Sequence, residues 1–270
     1  MNNKSESEHR KDIIEICKRV YDQGWVASND GNISVKLDND SVLCTPTGMS
    51  KGYLTTDQLI KVDMHGNKLE GELRPSSEIK MHIEMYNSKP TVNAVVHAHP
   101  PTATGFAVAG IPLDQCILPE IIIAMGSIPL APYGTPSTDE LPDSVRKYLK
   151  DHNVFLLENH GALSIGEDVY KAYYRMESLE LFAKINLVAR QLGNVNLIDE
   201  QRVRELVDLR KDYFGIKSEY PGCRIDGKVI KEGVKDSGTS GAIGEKTIEI
   251  TEGELVKLVS TIVNNLLDGK

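Results

Sequence analysis

The spacing of apolar and polar residues predicts an interleaved series of helices and strands. Apolar residues recur at helical intervals in four segments, at about residues 9–23, 75–87, 167–192 and 199–213. Strand-like apolar runs occupy about residues 33–37 and 41–45, about residues 92–99, and both sides of a turn within 153–165. Residues 121–130 are apolar without a clear period. In the long helix, the side expected to face inward carries Val169, Ala172, Tyr173, Met176, Ala183 and Leu187.

The character of the chain changes after about residue 215. Residues 231–246 contain four glycines and mostly polar side chains, a composition typical of a flexible linker. Capping-box spacing then begins at Thr251, and apolar residues recur at helical intervals from Leu255 to Leu267. We therefore predict a main domain over residues 1–215, a linker over 216–250 and an amphipathic helix over 251–270.

Composition and charge exclude several classes of function. The chain of 270 residues has 39 acidic and 31 basic residues, a net charge of -8, which argues against a general nucleic-acid binder. Its polar start lacks a secretory h-region, and its most apolar stretch, residues 116–132, falls short of a membrane span. The cysteines are scattered without a C-x-x-C pair, so we expect a reducing cytoplasm and no cysteine metal site. They are Cys17, Cys44, Cys116 and Cys223.

Three histidines have the arrangement of metal ligands. His97 and His99 are two residues apart in a predicted strand, so both imidazoles leave the same face. His160 lies where a second strand meets a turn, and on its own would be read as an ordinary turn histidine. Three neutral imidazoles suit Zn²⁺ and leave a position open for substrate. The remaining histidines are expected at the surface or on helix faces, with no role assigned; they are His9, His65, His82 and His152.

A carboxylate and several small polar residues could complete such a site. Glu78 lies at a predicted helix start, where it either complements the helix dipole or acts as a general base beside a metal. Ser76 and Ser77 either cap the same helix or help to bind an anion at its exposed N–H groups. Two Gly-containing pairs have the loop chemistry of a phosphate cradle, although each alone is more often an ordinary turn. They are Gly31-Asn32 and Thr47-Gly48.

Taken together, six short segments resemble the class II aldolase/adducin family. In chain order they are Gly31-Asn32-Ile33-Ser34, Thr45-Pro46-Thr47-Gly48, Ser76-Ser77-Glu78, Val95-Val96-His97-Ala98-His99, Ala131-Pro132-Tyr133 and Asn159-His160-Gly161. Their order and spacing extend over about residues 10–215. The combination is highly specific for the family and less specific for any one member.

The resemblance implies a fold, a metal and a set of site residues. The implied fold is α/β, with three α/β/α layers, a mainly antiparallel central sheet and assembly as a C4 homotetramer. One Zn²⁺ per subunit would bind His97, His99 and His160, with Glu78 approaching the metal in the empty site and acting as base when substrate is bound. The substrate phosphate would lie against Gly31, Asn32, Thr47, Gly48, Ser76 and Ser77.

The implied reaction is reversible aldol cleavage of a ketose 1-phosphate of the L-fuculose 1-phosphate type. Its products are dihydroxyacetone phosphate and an aldehyde such as lactaldehyde, and Glu78 would transfer the proton at C3 of dihydroxyacetone phosphate. Residues 116–120 align with a family region that carries a catalytic tyrosine, but here contain none. A second family tyrosine corresponds to Tyr213, and Tyr133 and Glu120 are the other candidates for the acid.

Other functions within and beyond this family remain as alternatives. Aldolases for 5-deoxypentulose phosphates and methylthioribulose-1-phosphate dehydratase also use a glutamate. Pentulose-phosphate 4-epimerases typically carry aspartate at the position of Glu78. A non-enzymatic, adducin-like binding protein has no need for a complete metal set.

The C-terminal segment has its own hypothesis. A linker followed by a short amphipathic helix, here residues 251–270, resembles the encapsulation peptides that target enzymes to bacterial microcompartments. The alternative is a helix that docks on its own tetramer or on a neighbouring domain. We accordingly expect a cytoplasmic protein, within a microcompartment if the tail binds a shell, and no nucleic-acid or membrane partner.

Overall fold

The computed structural model describes residues 4–212, 216 and 220–231. Within these residues the helices are α1 (Glu6–Asp22), α2 (Ile79–Ser88), α3 (Pro101–Val108), α4 (Pro119–Ala124), α5 (Glu140–Arg146), α6 (Val169–Gln191) and α7 (Glu200–Asp212). The strands are β1 (Asn32–Lys36), β2 (Ser41–Cys44), β3 (Ile60–Asp63), β4 (Lys68–Glu70), β5 (Ala94–Ala98), β6 (Leu130–Ala131), β7 (Val154–Leu157), β8 (Gly161–Gly166), β9 (Cys223–Ile225) and β10 (Lys228–Ile230). None of the described helices is both long and apolar enough to cross a bilayer.

The predicted three-layer α/β fold with a mainly antiparallel sheet is confirmed. Eight strands form one sheet in the order β4-β3-β2-β1-β5-β8-β7-β6, and every pairing is antiparallel except that of β6 with β7. One face of the sheet packs against α1, α3 and α6, and the other against α2 and α5. β5 lies in the centre and is buried throughout, because helices cover both of its faces.

Most of the predicted elements lie where the periodicity placed them. The segment 121–130, which has no clear apolar period, begins inside α4 and ends at the first residue of β6. The inward face predicted for α6 is correct through Ala183 but wrong for Leu187, which is 40% exposed. The neighbouring Asn186 is buried, so at this point the buried side of α6 is not the one that the apolar spacing indicates.

The described part of the predicted linker is ordered. β9 and β10 pair as a hairpin, and Tyr220, Cys223 and Ile230 are buried against α4 and α7. We predicted a linker over residues 216–250 from the change of composition after residue 215 and the glycine-rich stretch 231–246. This prediction is wrong for residues 220–231, which form the packed hairpin. The predicted amphipathic helix at 251–270 and the rest of the linker lie outside the described residues.

A disulfide joins Cys116 to Cys223, which the scattered cysteines did not predict. It connects the segment before α4 to the start of β9, and Cys116 N donates a hydrogen bond to the carbonyl of Arg224 beside it. Cys17 and Cys44 are free and buried. Disulfides are rare in reducing compartments, so this pair runs against the expectation drawn from cysteine spacing alone.

Breaking the disulfide should destabilise the protein. Cys116 and Cys223 are 107 positions apart, and opening so long a loop restores conformational freedom to the unfolded chain. We expect a reductant, or the double Cys116→Ser/Cys223→Ser variant, to lower the free energy of unfolding by about 2–4 kcal/mol. Chemical denaturation with and without reductant measures the change. The double variant is the control, since reductant should not destabilise it further. A wild-type denaturation curve that is unchanged by reductant would contradict the prediction.

Candidate active site

Three imidazoles converge at one end of the central strands, as the sequence predicted. His97 belongs to β5, His99 follows it, and His160 lies in the turn between β7 and β8. The ring centroids are 5.0 Å apart for His97 and His99, 4.7 Å for His97 and His160, and 5.2 Å for His99 and His160. One ligand atom from each ring lies within 4.8 Å of those of the others. His97 and His99 therefore do lie on the same side, as their spacing of two residues predicted.

Two glycines allow the surrounding backbone to approach this cluster. Gly161 follows His160, and a Cβ there would lie 2.5 Å from Cδ2 of His99. Gly31 precedes β1 with a φ of +70°, and a Cβ there would lie 2.8 Å from the carbonyl oxygen of His97. Any larger residue at either position would push a histidine-bearing segment away.

The hydrogen bonds around His97 leave its second nitrogen free for a metal. Nδ1 of His97 lies 2.9 Å from the carbonyl oxygen of Ala162, which can only accept, so Nδ1 carries the proton. Burial lowers the pKa of His97 to about 3, so the ring is neutral and Nε2 presents a lone pair to the cluster. Nδ1 of His99 lies 3.7 Å from a carboxylate oxygen of Asp30. This distance is longer than a hydrogen bond, so Asp30 is a charged neighbour of the cluster, and one that the sequence analysis missed.

Glu78 faces the same cluster. It is the residue before α2 and is 8% exposed, and its Oε2 and Oε1 lie 3.4 Å from Nε2 of His97 and of His160 respectively. Burial raises the pKa of Glu78, but the facing imidazoles and a hydrogen bond from Asn32 lower it by more, and the net shift is downward. The carboxylate is therefore ionised at neutral pH and positioned either to bind a cation or to accept a proton.

The cluster fits a divalent metal. The rings of His97 and His99 have pKa values lowered chiefly by burial, so they offer neutral nitrogens. Nδ1 of His160 is buried and has no hydrogen-bond partner among the described residues. Three imidazoles with a carboxylate beside them match a catalytic metal site with three protein ligands and an open position.

The predicted phosphate-binding segments lie next to one another. Pro46 and Pro75 form an isolated β-bridge, and Thr47 N donates to the carbonyl of Arg74, so the loop at residues 45–50 runs beside the segment that carries Ser76 and Ser77. Gly48 has a φ of +76° and open space around it, and Ser77 is exposed. Ser76 is buried, and its Oγ accepts from Glu78 N. Phosphate binding by these residues stays a prediction.

Lys51, which the sequence analysis missed, joins the two loops of this region. It is 1% exposed, and its Nζ donates to the carbonyl oxygens of Asn29 at 3.0 Å and Met49 at 2.9 Å. Asn29 belongs to the loop before Gly31, and Met49 to the loop at residues 45–50. Burial lowers the pKa of Lys51. A buried lysine thus holds the two Gly-containing loops together, a contact with no signature in local sequence.

Replacing Lys51 should loosen both loops. Lys51→Met keeps the length of the side chain but removes two part-buried hydrogen bonds, each worth about 0.5–1.5 kcal/mol of unfolding free energy. Thermal or chemical denaturation measures the loss. Lys18→Met, at an exposed position of α1, is the matched control and should change stability by less than about 0.5 kcal/mol. Equal stability of the two variants would show that the Lys51 hydrogen bonds do not stabilise the protein.

His82 lies on a helix face, one of the two places expected for it, and that face is buried. It is 1% exposed, with Nε2 at 2.5 Å from Oδ1 of Asn32 and Nδ1 at 2.6 Å from Oγ of Ser34. Asn32 in turn donates from Nδ2 to Oε2 of Glu78 at 2.7 Å. His9 is also buried, at 6% exposed. Both lie on amphipathic helices whose polar positions happen to face neighbouring elements, which a helical period alone does not reveal.

The burial of His82 makes stability depend on pH. Burial lowers the pKa of His82 to about 4 in the folded protein, against about 6.5 in an unfolded chain. Its contribution to stability is therefore complete above about pH 6.5 and is lost as the pH falls towards 4, because only the unfolded chain binds the proton. We expect a loss of roughly 3 kcal/mol over this range. Denaturation curves of wild type and His82→Gln, measured between pH 6.5 and 4, isolate the contribution of His82. If the free energy of unfolding changed with pH equally in both proteins, the prediction would be wrong.

The candidate catalytic acids do not come together in the described part of the structure. Tyr213 lies outside them. Tyr133 is 55% exposed, and Glu120 is exposed in the first turn of α4. The region aligned with the family tyrosine contains Cys116, which is occupied by the disulfide. The role of Tyr213 as the catalytic acid therefore stays a prediction.

Three clustered imidazoles face a buried carboxylate on a three-layer α/β fold, an arrangement that could hold a metal ion. Residues 11–187 match the family described as Class II Aldolase and Adducin N-terminal domain. The chain belongs to this class II aldolase and adducin family, and it is a lyase of the class II aldolase type.

Individual relatives differ in their activity. The chain is 33% identical over 181 residues to L-fuculose phosphate aldolase of Methanococcus maripaludis, which covers 67% of this chain and 97% of that protein. It is 32% identical over 186 residues to 3-oxo-tetronate 4-phosphate decarboxylase of Escherichia coli, over 67% of this chain and 87% of that protein. A solved structure of L-fuculose 1-phosphate aldolase superposes with a TM-score of 0.71 at 27% identity, over 78% of this chain and 100% of that one.

Proposed function

We propose that this enzyme catalyses reversible aldol cleavage of a ketose 1-phosphate of the L-fuculose 1-phosphate type. The products would be dihydroxyacetone phosphate and an aldehyde such as lactaldehyde. The observation that carries the proposal is the Glu78 carboxylate, buried and 3.4 Å from two of the three clustered imidazoles. The identity of 33% to an L-fuculose phosphate aldolase supports this choice of substrate.

His97, His99 and His160 would hold the metal, which we propose to be Zn²⁺, one per subunit. Three neutral imidazoles are a common donor set for this ion in catalytic sites. A divalent cation bound there polarises a substrate carbonyl and so acidifies the adjacent C–H bond. No Schiff-base lysine is then required.

Glu78 would move the proton of the reaction. In the direction of synthesis it accepts the proton from C3 of dihydroxyacetone phosphate, and in the direction of cleavage it returns that proton to the same carbon. Its downward-shifted pKa keeps it in the basic form at neutral pH. The substrate phosphate would lie against Gly31, Asn32, Thr47, Gly48, Ser76 and Ser77, where backbone N–H groups offer donors without a basic cluster.

The second candidate is decarboxylation of a 3-oxo-tetronate 4-phosphate. It is favoured by the identity of 32% to a decarboxylase with that substrate. Both reactions break a carbon–carbon bond beside a carbonyl and need a proton at the carbon that is left. Glu78 could serve either reaction, so the residues near the metal do not distinguish them.

A substrate panel separates the candidates. Purified protein is assayed with L-fuculose 1-phosphate, other ketose 1-phosphates and 3-oxo-tetronate 4-phosphate, each with and without a chelator. We expect chelator-sensitive release of dihydroxyacetone phosphate from the ketose 1-phosphates. Carbon dioxide release from the tetronate substrate alone would favour the decarboxylase, and turnover that ignores the chelator would overturn the metal-dependent mechanism.

We also propose a homotetramer, from the family resemblance, and a targeting role for residues 251–270. Light scattering on the purified protein tests the oligomer. Deleting residues 247–270 should leave aldol cleavage intact and abolish co-purification with a microcompartment shell. Unchanged co-purification would remove the targeting hypothesis, and loss of cleavage would favour docking of the helix on the enzyme itself.

A further inference from the structure

A row of buried polar side chains extends from Glu78 into the protein, away from the metal cluster. Asn32 and Ser34 are two positions apart on β1, and Glu78, His82 and Tyr86 are four positions apart along α2. The strand period of two and the helix period of nearly four bring both sets to the same interface. Glu78 is the proposed base and Asn32 is proposed to contact the substrate phosphate, but no role described above uses Ser34, His82 or Tyr86.

Consecutive hydrogen bonds join the members of this row. Asn32 Nδ2 lies 2.7 Å from Oε2 of Glu78, and Asn32 Oδ1 lies 2.5 Å from Nε2 of His82. Oγ of Ser34 lies 2.6 Å from Nδ1 of His82 and 2.6 Å from the hydroxyl of Tyr86. His82, Ser34 and Tyr86 are at most 2% exposed, so each polar atom depends on its neighbour in the row.

The chemistry of the first member determines the direction of every hydrogen bond. An ionised Glu78 can only accept, so Asn32 donates Nδ2–H to it and turns Oδ1 towards His82. An amide oxygen can only accept, so Nε2 of His82 carries the proton. In the neutral ring Nδ1 then accepts from the Ser34 hydroxyl, which in turn accepts from Tyr86. Burial lowers the pKa of His82 to about 4, consistent with this neutral ring.

We propose that His82 is a positioning residue, which fixes the side-chain amide of Asn32 and through it the orientation of the Glu78 carboxylate. Without the Nε2–H donor, the amide of Asn32 can rotate and present its oxygen to the carboxylate, which is repulsive. Glu78 would then lose its anchor on Oε2 and its alignment with the substrate carbon. The effect on turnover rests on the proposed role of Glu78 as base, whereas the effect on Asn32 does not.

Two substitutions of His82 separate the donor from the rest of the ring. His82→Gln places an amide N–H at the end of the side chain, near the position of Nε2, and can still donate to Asn32. His82→Asn is one methylene shorter, so its amide reaches only towards Ser34. His65→Asn, at an exposed position, is the control for the substitution itself.

We expect His82→Asn to lower kcat by about 10- to 100-fold, as for other residues that orient a group beside a metal, with KM and metal content within about twofold of wild type. His82→Gln should retain most of the activity, and His65→Asn all of it. A merely structural role predicts instead that both His82 variants lose activity in proportion to their loss of folded protein, measured by thermal melts. Equal loss of kcat in well-folded His82→Gln and His82→Asn would overturn the proposal.

Nuclear magnetic resonance tests the proposal without turnover. In metal-free, ¹⁵N-labelled protein the His82 ring should show the shift pattern of the Nε2–H tautomer. The Asn32 side-chain N–H signal should be protected from solvent exchange in wild type and His82→Gln, and exchange rapidly in His82→Asn. An Nδ1–H tautomer, or unchanged Asn32 protection in His82→Asn, would overturn the proposal. These readouts still decide it if the enzyme cleaves no ketose 1-phosphate.

Discussion

Glu78→Gln should abolish proton transfer while leaving the metal in place. The glutamine has the same shape and can still accept the Asn32 hydrogen bond, but it cannot accept a proton from carbon. General base catalysis is typically worth about 10²- to 10⁴-fold, so we expect kcat to fall by that range. Loss of deuterium exchange at C3 of dihydroxyacetone phosphate in D₂O, followed by NMR, measures the step directly.

The control for this variant lies on α2, the helix that Glu78 precedes. Glu84→Gln removes a carboxylate that pairs with Arg146, 2.7 Å away at the surface, and should leave exchange unchanged. Metal content measured by elemental analysis should be equal in wild type and both variants. Persistent C3 exchange in a metal-loaded Glu78→Gln enzyme would remove Glu78 as the base.

His160→Ala should release the metal and with it the activity. The other two ligands lie on or beside β5, so His160 alone brings the β7–β8 turn into the site. Even residues that only orient a ligand typically change metal affinity or activity by about 10- to 100-fold, so loss of a ligand should weaken binding by more than about 100-fold. Titration of the apo protein with Zn²⁺ measures the affinity, and turnover under saturating metal measures the activity.

His65→Ala removes an exposed histidine and serves as the matched control. It should bind the metal as tightly as wild type. His160 is half-buried rather than fully enclosed, so its variant is expected to fold, which a thermal melt verifies. One tightly bound Zn²⁺ per chain in a folded His160→Ala protein would mean that the sequence prediction of a three-histidine centre is wrong.

Local pattern was sufficient for most of the secondary structure. The β1–β2 hairpin, the apolar run that became β5, and the long helix α6 were all predictable because their periods of 2 and 3.6 are strong. Leu187 and the β9–β10 hairpin were not, because both depend on which surface lies opposite. On α6 the buried residue at this point is the polar Asn186 and not the apolar Leu187. The hairpin is held by contacts to α4 and α7 and by a disulfide to a residue 107 positions away.

The candidate site likewise contains residues that the sequence predicted and residues that it did not. His97 and His99 were predictable as a pair because a strand places alternate residues on one face. His160 and Glu78 could be joined to them only through the family resemblance, since each alone has an ordinary explanation at a turn or a helix start. Lys51 and Asp30 could not be found at all, because their partners lie on loops whose approach is set by tertiary packing.

The sequence by itself determined which side chains could carry the chemistry, since residue type and period fix both donor atoms and faces. It also determined the family, through six short segments in a fixed order. Only the tertiary structure decided which buried side chains hydrogen-bond to those residues. Packing α2 onto β1 buries His82, and among the described residues the hydrogen-bond partners of its two nitrogens are Asn32 and Ser34. A buried polar atom must find a hydrogen bond within the fold, and that choice depends on contacts between elements that no local pattern encodes.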